Sequence, residues 1–193
     1  YFLKKELFTQ IFILVDCNTK QYCLENFLSQ SIILKNSKII ELPTGESTKS
    51  IDTFHSICSK LIKNDIDRNS LIINLGGGVI LDFGGFLSGV LKRGIRFINI
   101  PTTFMAQIDA SIGGKVALNL KDYKNQIGLF IQPNLILIDP SYFSSLSDND
   151  FLSAKSEVLK YALIYDKLFW KQLIKMDFRK RDNLNYIIQE CVK

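Results

Sequence analysis

At 193 residues the chain is long enough for one domain, or for one domain and part of another. Its 47% hydrophobic and 22% charged content suits a globular protein with a packed core, and no apolar run approaches the ~18 residues a membrane-spanning helix needs. A net charge of +5 and a pI near 9.0 suit small anionic ligands, while the lysines are spread rather than massed, which argues against a nucleic-acid partner. Cys17, Cys23, Cys58 and Cys191 form no C-x-x-C pair and no metal-binding spacing, so they read as free thiols of a reducing cytoplasm. No signal peptide is visible. The chain opens on Tyr1 rather than Met, so its natural N-terminus is expected to lie outside the sequence.

In chain order, residues 10–15 (QIFILV) read as a first strand, followed by a polar turn over 17–20. A short helix over 21–30 carries Tyr22, Leu24, Phe27 and Leu28 as its apolar positions. Residues 38–42 form a second strand closed by Pro43, and a polar loop over 43–49 runs into a helix over 47–63. That helix places Ile51, Phe54, Cys58, Leu61 and Ile62 at helical spacing.

Residues 71–75 (LIINL) are short, apolar but for Asn74 and bounded by glycine, as a strand buried on both faces of a parallel sheet would be. Gly76, Gly77 and Gly78 then lead into a helix over 79–91 that carries Asp82. Strand, glycine turn and helix make a phosphate cradle, because glycine lets backbone N–H groups approach an anion at the positive end of a helix. G-x-G-x-x-G is absent, and a plain structural turn is the alternative reading. Residues 96–100 form the next strand.

Alternating strand and helix predicts an α/β fold with a parallel sheet, whose ligands gather beyond the carboxyl ends of its strands. From Thr102 onward, Asp109, Lys115, Lys124 and Asn125 lie among small residues and a Gly113-Gly114 pair. Two lysines and an acid near glycines suit a phosphate- and hydroxyl-rich ligand; a solvated surface hairpin is the plain alternative. Residues 135–138 make a further strand. Ser147 and Asp150 resemble a capping box opening a helix over 148–165, on which Glu157, Lys160 and Ile164 share a face. Helices over 168–176 and 182–192 follow. The expected organisation is an α/β domain over 1–146 and the first helices of an all-helical domain over 147–193.

Six segments in one order resemble the 3-dehydroquinate synthases, a family of sugar-phosphate cyclases. They are GE..K (45–49), GGGVILD (76–82), LKRG (91–94), PTTFMAQIDASIGGK (101–115), KNQIGLFIQP (124–133) and SEVLKYALI (156–164). The match runs without a gap through about two thirds of the chain.

The resemblance implies an NAD-binding α/β domain, a helical metal-binding domain and a site between them. It also implies conversion of 3-deoxy-D-arabino-heptulosonate 7-phosphate to 3-dehydroquinate and phosphate, by transient oxidation, elimination, re-reduction and aldol closure. By carry-over, Thr44, Gly45, Glu46, Lys49, Gly78, Val79, Ile80, Leu81, Asp82, Thr102, Thr103, Tyr142, Phe143, Ser144 and Ser145 line the NAD site. Asp109 holds the nicotinamide end. Lys115 and Lys124 serve both nucleotide and substrate, Asn125 and Lys160 contact the substrate, and Arg93 reaches the substrate phosphate of a neighbouring subunit in a homodimer. Glu157 matches the family's carboxylate ligand to a divalent metal, zinc before cobalt.

The sequence departs from the pattern in places. Leu81 replaces a glycine and is expected to crowd the pyrophosphate; Val116-Ala117 and Ala154-Lys155-Ser156 replace other family residues. The family's two metal-binding histidines lie downstream of the matched region. The single histidine here, His55, reads as structural, so the chain is expected to be part of a longer enzyme. A related cyclase, an NAD- and metal-dependent polyol dehydrogenase and a truncated NAD-binding module are the alternative readings. The clustered apolar residues Leu168, Phe169, Trp170, Leu173 and Ile174 predict poor solubility.

Overall fold

The structure is a computed structural model that describes residues 2–193, without the side chains of Lys4, Lys5 and Ser145. In chain order its elements begin α1 (Phe2–Lys5), β1 (Ile11–Val15), α2 (Cys17–Tyr22), α3 (Leu24–Ser29), β2 (Lys38–Glu41) and α4 (Ile51–Lys63). Next come β3 (Leu71–Gly76), α5 (Gly78–Val90), β4 (Arg96–Pro101), a π-helical turn (Ala106–Ala110), β5 (Lys115–Leu120), β6 (Tyr123–Phe130) and β7 (Leu135–Ile136). Three helices close the chain: α6 (Asp148–Tyr165), α7 (Lys167–Leu173) and α8 (Arg181–Cys191).

The strands β2-β1-β3-β4-β7 form one parallel sheet in that order, with Ile13 opposite Ile73 and Ile73 opposite Ile98. Alternate side chains of each strand enter opposite layers, as the two-residue period of a strand requires. Phe12, Leu14, Ile72 and Phe97 pack under α4 and α5 with Ile57, Leu61, Phe83 and Leu87. Ile13, Val15, Ile73 and Ile98 face Cys23, Leu24, Phe27 and Leu34 on the other side. All six residues of β3 are buried, which is why this strand reads as apolar but for Asn74, whose amide donates to Asn99 Oδ1 at 2.9 Å. A third cluster joins Phe104 and Ile108 of the 101–110 segment to Val158, Phe169, Leu173 and Ile187 of the closing helices.

The structure corrects several local readings. Residues 17–20 are helical rather than a polar turn. The Asp16 carboxylate accepts the Thr19 N–H at 2.8 Å and the Thr19 hydroxyl accepts the Asp16 N–H at 2.9 Å, a reciprocal cap that starts α2 directly after β1. Tyr22 is 59% exposed rather than apolar core. The helix expected from residue 47 starts at Ile51, where Ser50 accepts the Thr53 N–H at 3.2 Å. Its buried face is Ile57 and Leu61, while Ile51 and Ile62 are exposed. Of the apolar group on α7 and just beyond it, Phe169 and Leu173 are buried and Leu168 and Ile174 are not.

The surface hairpin reading of the Gly113–Asn125 region holds: β5 and β6 pair antiparallel, apart from the main sheet. The hairpin lies on α5, whose glycines let it approach. A Cβ on Gly85 would sit 2.4 Å from Val116 Cγ1, and one on Gly89 would sit 2.8 Å from Leu129 Cδ1.

Candidate nucleotide and substrate site

The sheet order reverses at β1, which has β2 on one side and β3 on the other. A crevice is expected beyond the carboxyl ends of the strands at such a switch point. There the structure has a cleft of about 450 Å³. Each strand contributes its outgoing loop: Asp16, Asn18 and Thr19 after β1, Thr44 and Gly45 after β2, Gly77 to Ile80 after β3, and Thr102 and Thr103 after β4.

Gly77 caps α5 with no side-chain hydrogen bond, so the N–H groups of the first turn are left for a ligand at the helix's positive end. The cradle has little room for side chains. A Cβ on Gly77 would lie 3.1 Å from Thr103 Cγ2, and one on Gly78 would lie 3.3 Å from Ala110 Cβ. Gly45 has φ +84°, a left-handed conformation that favours glycine where the loop turns along the cleft.

On the other side of the first turns of α5 lies a second cavity of about 440 Å³, lined by Asp82, Asp109, Lys115, Asn125 and the inner residues of the hairpin. Asp82 is held by Lys49, whose Nζ is 2.7 Å from Asp82 Oδ2. Burial pushes the Asp82 carboxyl above its ordinary pKa, and the Lys49 ammonium pulls in the opposite direction. The Tyr161 hydroxyl of α6 donates to Asp109 at 2.7 Å; burial and the bond to Asp109 raise the phenol's pKa well above its ordinary value, so it stays a donor. Lys160, directly before Tyr161 on α6, is paired with Glu157 about one turn earlier.

The residues singled out from the sequence thus separate into groups. Thr44, Gly45, Gly78, Val79, Ile80, Thr102 and Thr103 line the first cleft; Asp82, Asp109, Lys115 and Asn125 line the second. Leu81 is buried and lines neither, so it does not crowd the cradle. Glu46 and Lys49 lie outside both linings. Lys124 is exposed on β6 and also lies outside them. Tyr142 packs in the sheet core, and Phe143 stacks against Phe104 with ring centroids 5.3 Å apart. Ser144 is exposed, and the Ser145 side chain lies outside the described residues. Leu146, Ser147 and Asp150 line the cleft where the 142–145 segment was expected.

Arg93 is exposed at the far end of α5, where the chain turns into β4 and away from both cavities. His55 is exposed on α4. No group of three or more His, Cys, Asp or Glu able to hold a metal exists among the described residues. Sequence reasoning missed the contribution of Asp16 to Cys23; a polar loop directly after the first strand was the available signal.

A family profile described as 3-dehydroquinate synthase N-terminal matches residues 39–153. The chain belongs to the 3-dehydroquinate synthase family. The 3-dehydroquinate synthase of Nitratiruptor sp. is 42% identical over 155 residues, 80% of this chain and 44% of the relative. That of Clostridium beijerinckii is 40% identical over 187 residues, 94% of this chain and 53% of the relative. The chain therefore spans about half the length of the curated relatives it matches.

Among solved structures, 2-deoxy-scyllo-inosose synthase with carbaglucose-6-phosphate, NAD+ and Co2+ superposes with a TM-score of 0.81 at 22% identity, over 100% of this chain and 54% of that one. The 2-epi-5-epi-valiolone synthase of Streptomyces hygroscopicus, with NAD+ and Zn2+, gives 0.80 at 22% identity, over 95% and 53%. An iron-containing alcohol dehydrogenase gives 0.65 at 19% identity, over 79% and 46%. These likenesses establish a shared parallel-sheet α/β fold.

Proposed function

We propose that the whole gene product is a 3-dehydroquinate synthase of the shikimate pathway, a lyase that turns 3-deoxy-D-arabino-heptulosonate 7-phosphate into 3-dehydroquinate and phosphate. The observation that carries this reading is the pair of adjoining cavities separated by the first turns of α5. One presents a glycine cradle and free helix N–H groups; the other presents Asp82, Asp109, Lys115 and Asn125. The cradle fits NAD: its uncapped N–H groups suit the pyrophosphate, and any side chain at Gly77 or Gly78 would fill the space.

Bound there, NAD would take a hydride from the sugar and return it, since no side chain can. Lys115 neutralises the substrate phosphate and Asn125 fixes a hydroxyl, while Tyr161 holds Asp109 ready for the nicotinamide end. Lys160 contacts the substrate from α6. Arg93, distant from its own cavities, serves the substrate phosphate of a second copy in a cytoplasmic homodimer.

Glu157 is the carboxylate assigned to a divalent metal, zinc before cobalt. The described residues hold no group of three such ligands, so Glu157 would need further ligands to complete a catalytic metal site. The proposed organisation is a nucleotide domain over 1–146 and helices of a metal domain over 147–193.

The dehydrogenase reading shares the fold but leaves Lys115 without an anion to bind. The two are separated by incubating the whole gene product with NAD and zinc and either glycerol or the sugar phosphate. A cyclase gives no net NADH with either compound. Accumulation of NADH with glycerol would replace this reading with the dehydrogenase.

A further inference from the structure

We propose that Arg68 is a positioning residue: its guanidinium holds a strained turn, Lys92 to Gly94, in the shape that presents Arg93 to the substrate phosphate of a second copy. What Arg93 meets rests on the functional reading above; how the turn is held does not.

Five described residues other than glycine have positive φ, and only Lys92 and Arg93 are adjacent, at 56° and 65°. Gly94 continues the run at 113°. A side chain crowds the backbone in this region, so a lysine and an arginine in succession are strained where glycine would not be. Such strain persists only where surrounding contacts fix it. Packing does not supply them, because Lys92 and Arg93 are both exposed.

Hydrogen bonds do. The carbonyl of buried Leu91 accepts the Gly94 N–H at 3.0 Å, and the Ser88 carbonyl of α5 accepts the Ile95 N–H at 2.8 Å. These two close the turn onto its own helix. A third comes from 24 residues away: Arg68 Nε donates to the Lys92 carbonyl at 3.0 Å. A charged donor makes this bond stronger than a neutral one, and it falls on the peptide that joins the two strained residues.

Arg68 can act as a strut because its own base is fixed. It lies between Ile66 and Ser70, both buried, in the turn that leads into β3. Asp67 Oδ1 accepts the Asn69 N–H and the Ser70 hydroxyl at 2.9 Å each, and the Thr9 hydroxyl at 2.6 Å. Leu71 and Arg96, the first residues of β3 and β4, are paired, so the two turns are neighbours at the amino edge of the sheet. The nucleotide cleft lies beyond the opposite edge. Arg93 is therefore held in place where its own chain's nucleotide is out of reach, which fits a role toward another copy.

The test uses the whole gene product carrying Arg68→Met, Arg93→Ala or both. Arg68→Met is expected to speed amide exchange at Gly94 and Ile95 by about tenfold or more in the unliganded protein. Arg93→Ala should raise KM for the sugar phosphate by about thirtyfold and Arg68→Met by about fivefold, with kcat changing less than KM. The double variant should match Arg93→Ala within about twofold, because a turn without its arginine has nothing left to present. NAD affinity should stay within about threefold of wild type in all three. Arg68→Lys, which keeps a charged donor, should recover part of the loss.

Exchange at Gly94 and Ile95 that stays at the wild-type rate in Arg68→Met would overturn the proposal. So would KM effects that multiply in the double variant, the result for two residues acting separately, or a less stable Arg68→Met with wild-type KM. If Arg68→Met does not fold, Lys92→Gly, which frees the same turn by removing a side chain, takes its place in the cycle with the same expectations. An active enzyme whose KM is unchanged by Arg93→Ala would defeat the functional reading at that residue, while the exchange rates would still decide whether Arg68 holds the turn.

Discussion

Asp82 shows how the residues of the site balance charge against burial. Its folded-state pKa is raised by burial despite the Lys49 ammonium beside it, so the folded chain favours the protonated form. Its contribution to stability is therefore greatest below the unfolded carboxyl's pKa and falls as pH rises through the folded one. Asp82→Asn, which keeps the shape and loses the titration, should leave the unfolding temperature near neutral pH within a few degrees of wild type. It should also flatten the dependence of stability on pH just above the ordinary carboxyl range, where the raised group titrates. A loss of about 3–5 kcal/mol, the usual cost of breaking a buried ion pair, would show that Lys49 needs the carboxylate's charge. Thermal unfolding across that pH range decides it. Neither the buried Lys49 ammonium nor its hydrogen bond to the Asn125 side-chain oxygen was legible in the sequence, because a pairing 76 residues apart leaves no local pattern. The turn at Gly76-Gly77-Gly78 was legible as a passage from strand to helix, but a bare glycine run left an anion cradle and a plain structural turn both open.

At the scale of elements, α5 is the piece on which both cavities are built. It carries Gly84, Gly85 and Gly89 in a helix interior, where each costs about 1 kcal/mol relative to alanine. Close approach explains them: a Cβ on Gly84 would come within 1.9 Å of Asn74 Oδ1 in β3. Gly84→Ala should therefore destabilise by about 1–3 kcal/mol in urea unfolding despite its better helix propensity; a stabilised variant would show that the helix has room to shift.

At the first turn of α5 the expectation is different. Gly78→Val should fold normally and weaken NAD binding by about tenfold or more, measured by titration, because the side chain fills the cradle beside Ala110. An unchanged affinity would move the pyrophosphate elsewhere. The helix positions were readable from periodicity, and α6 was readable to its ends because Ser147 announces it. α2 was not, because its cap is an Asp at the end of a strand paired with a threonine in place of the usual glutamate. The hairpin and the site had been set against each other as alternatives; in the structure the hairpin is one wall of the second cavity.

For the molecule as a whole, alternating strands and helices were enough to predict a parallel sheet and a crevice at its carboxyl edge. The order β2-β1-β3-β4-β7, which locates the crevice between the loops of β1 and β3, comes from packing and could not be read from local sequence. The closing helices are partly covered, since they share a core with Phe104 and Ile108, yet Leu163, Ile164, Tyr165 and Leu168 remain 64–91% exposed around the α6–α7 junction. The 193-residue chain on its own is accordingly expected to self-associate through this surface, with light scattering after size exclusion showing mass rising with concentration. A monodisperse monomer would contradict that.

The most direct measurement incubates the whole gene product, supplied with NAD and zinc, with 3-deoxy-D-arabino-heptulosonate 7-phosphate while phosphate and 3-dehydroquinate are followed together. Equal amounts of both, without net NADH and with at least about a hundredfold loss on Lys115→Ala, are the predicted result. Phosphate and 3-dehydroquinate both absent, with the protein folded and NAD bound, would contradict the synthase reading.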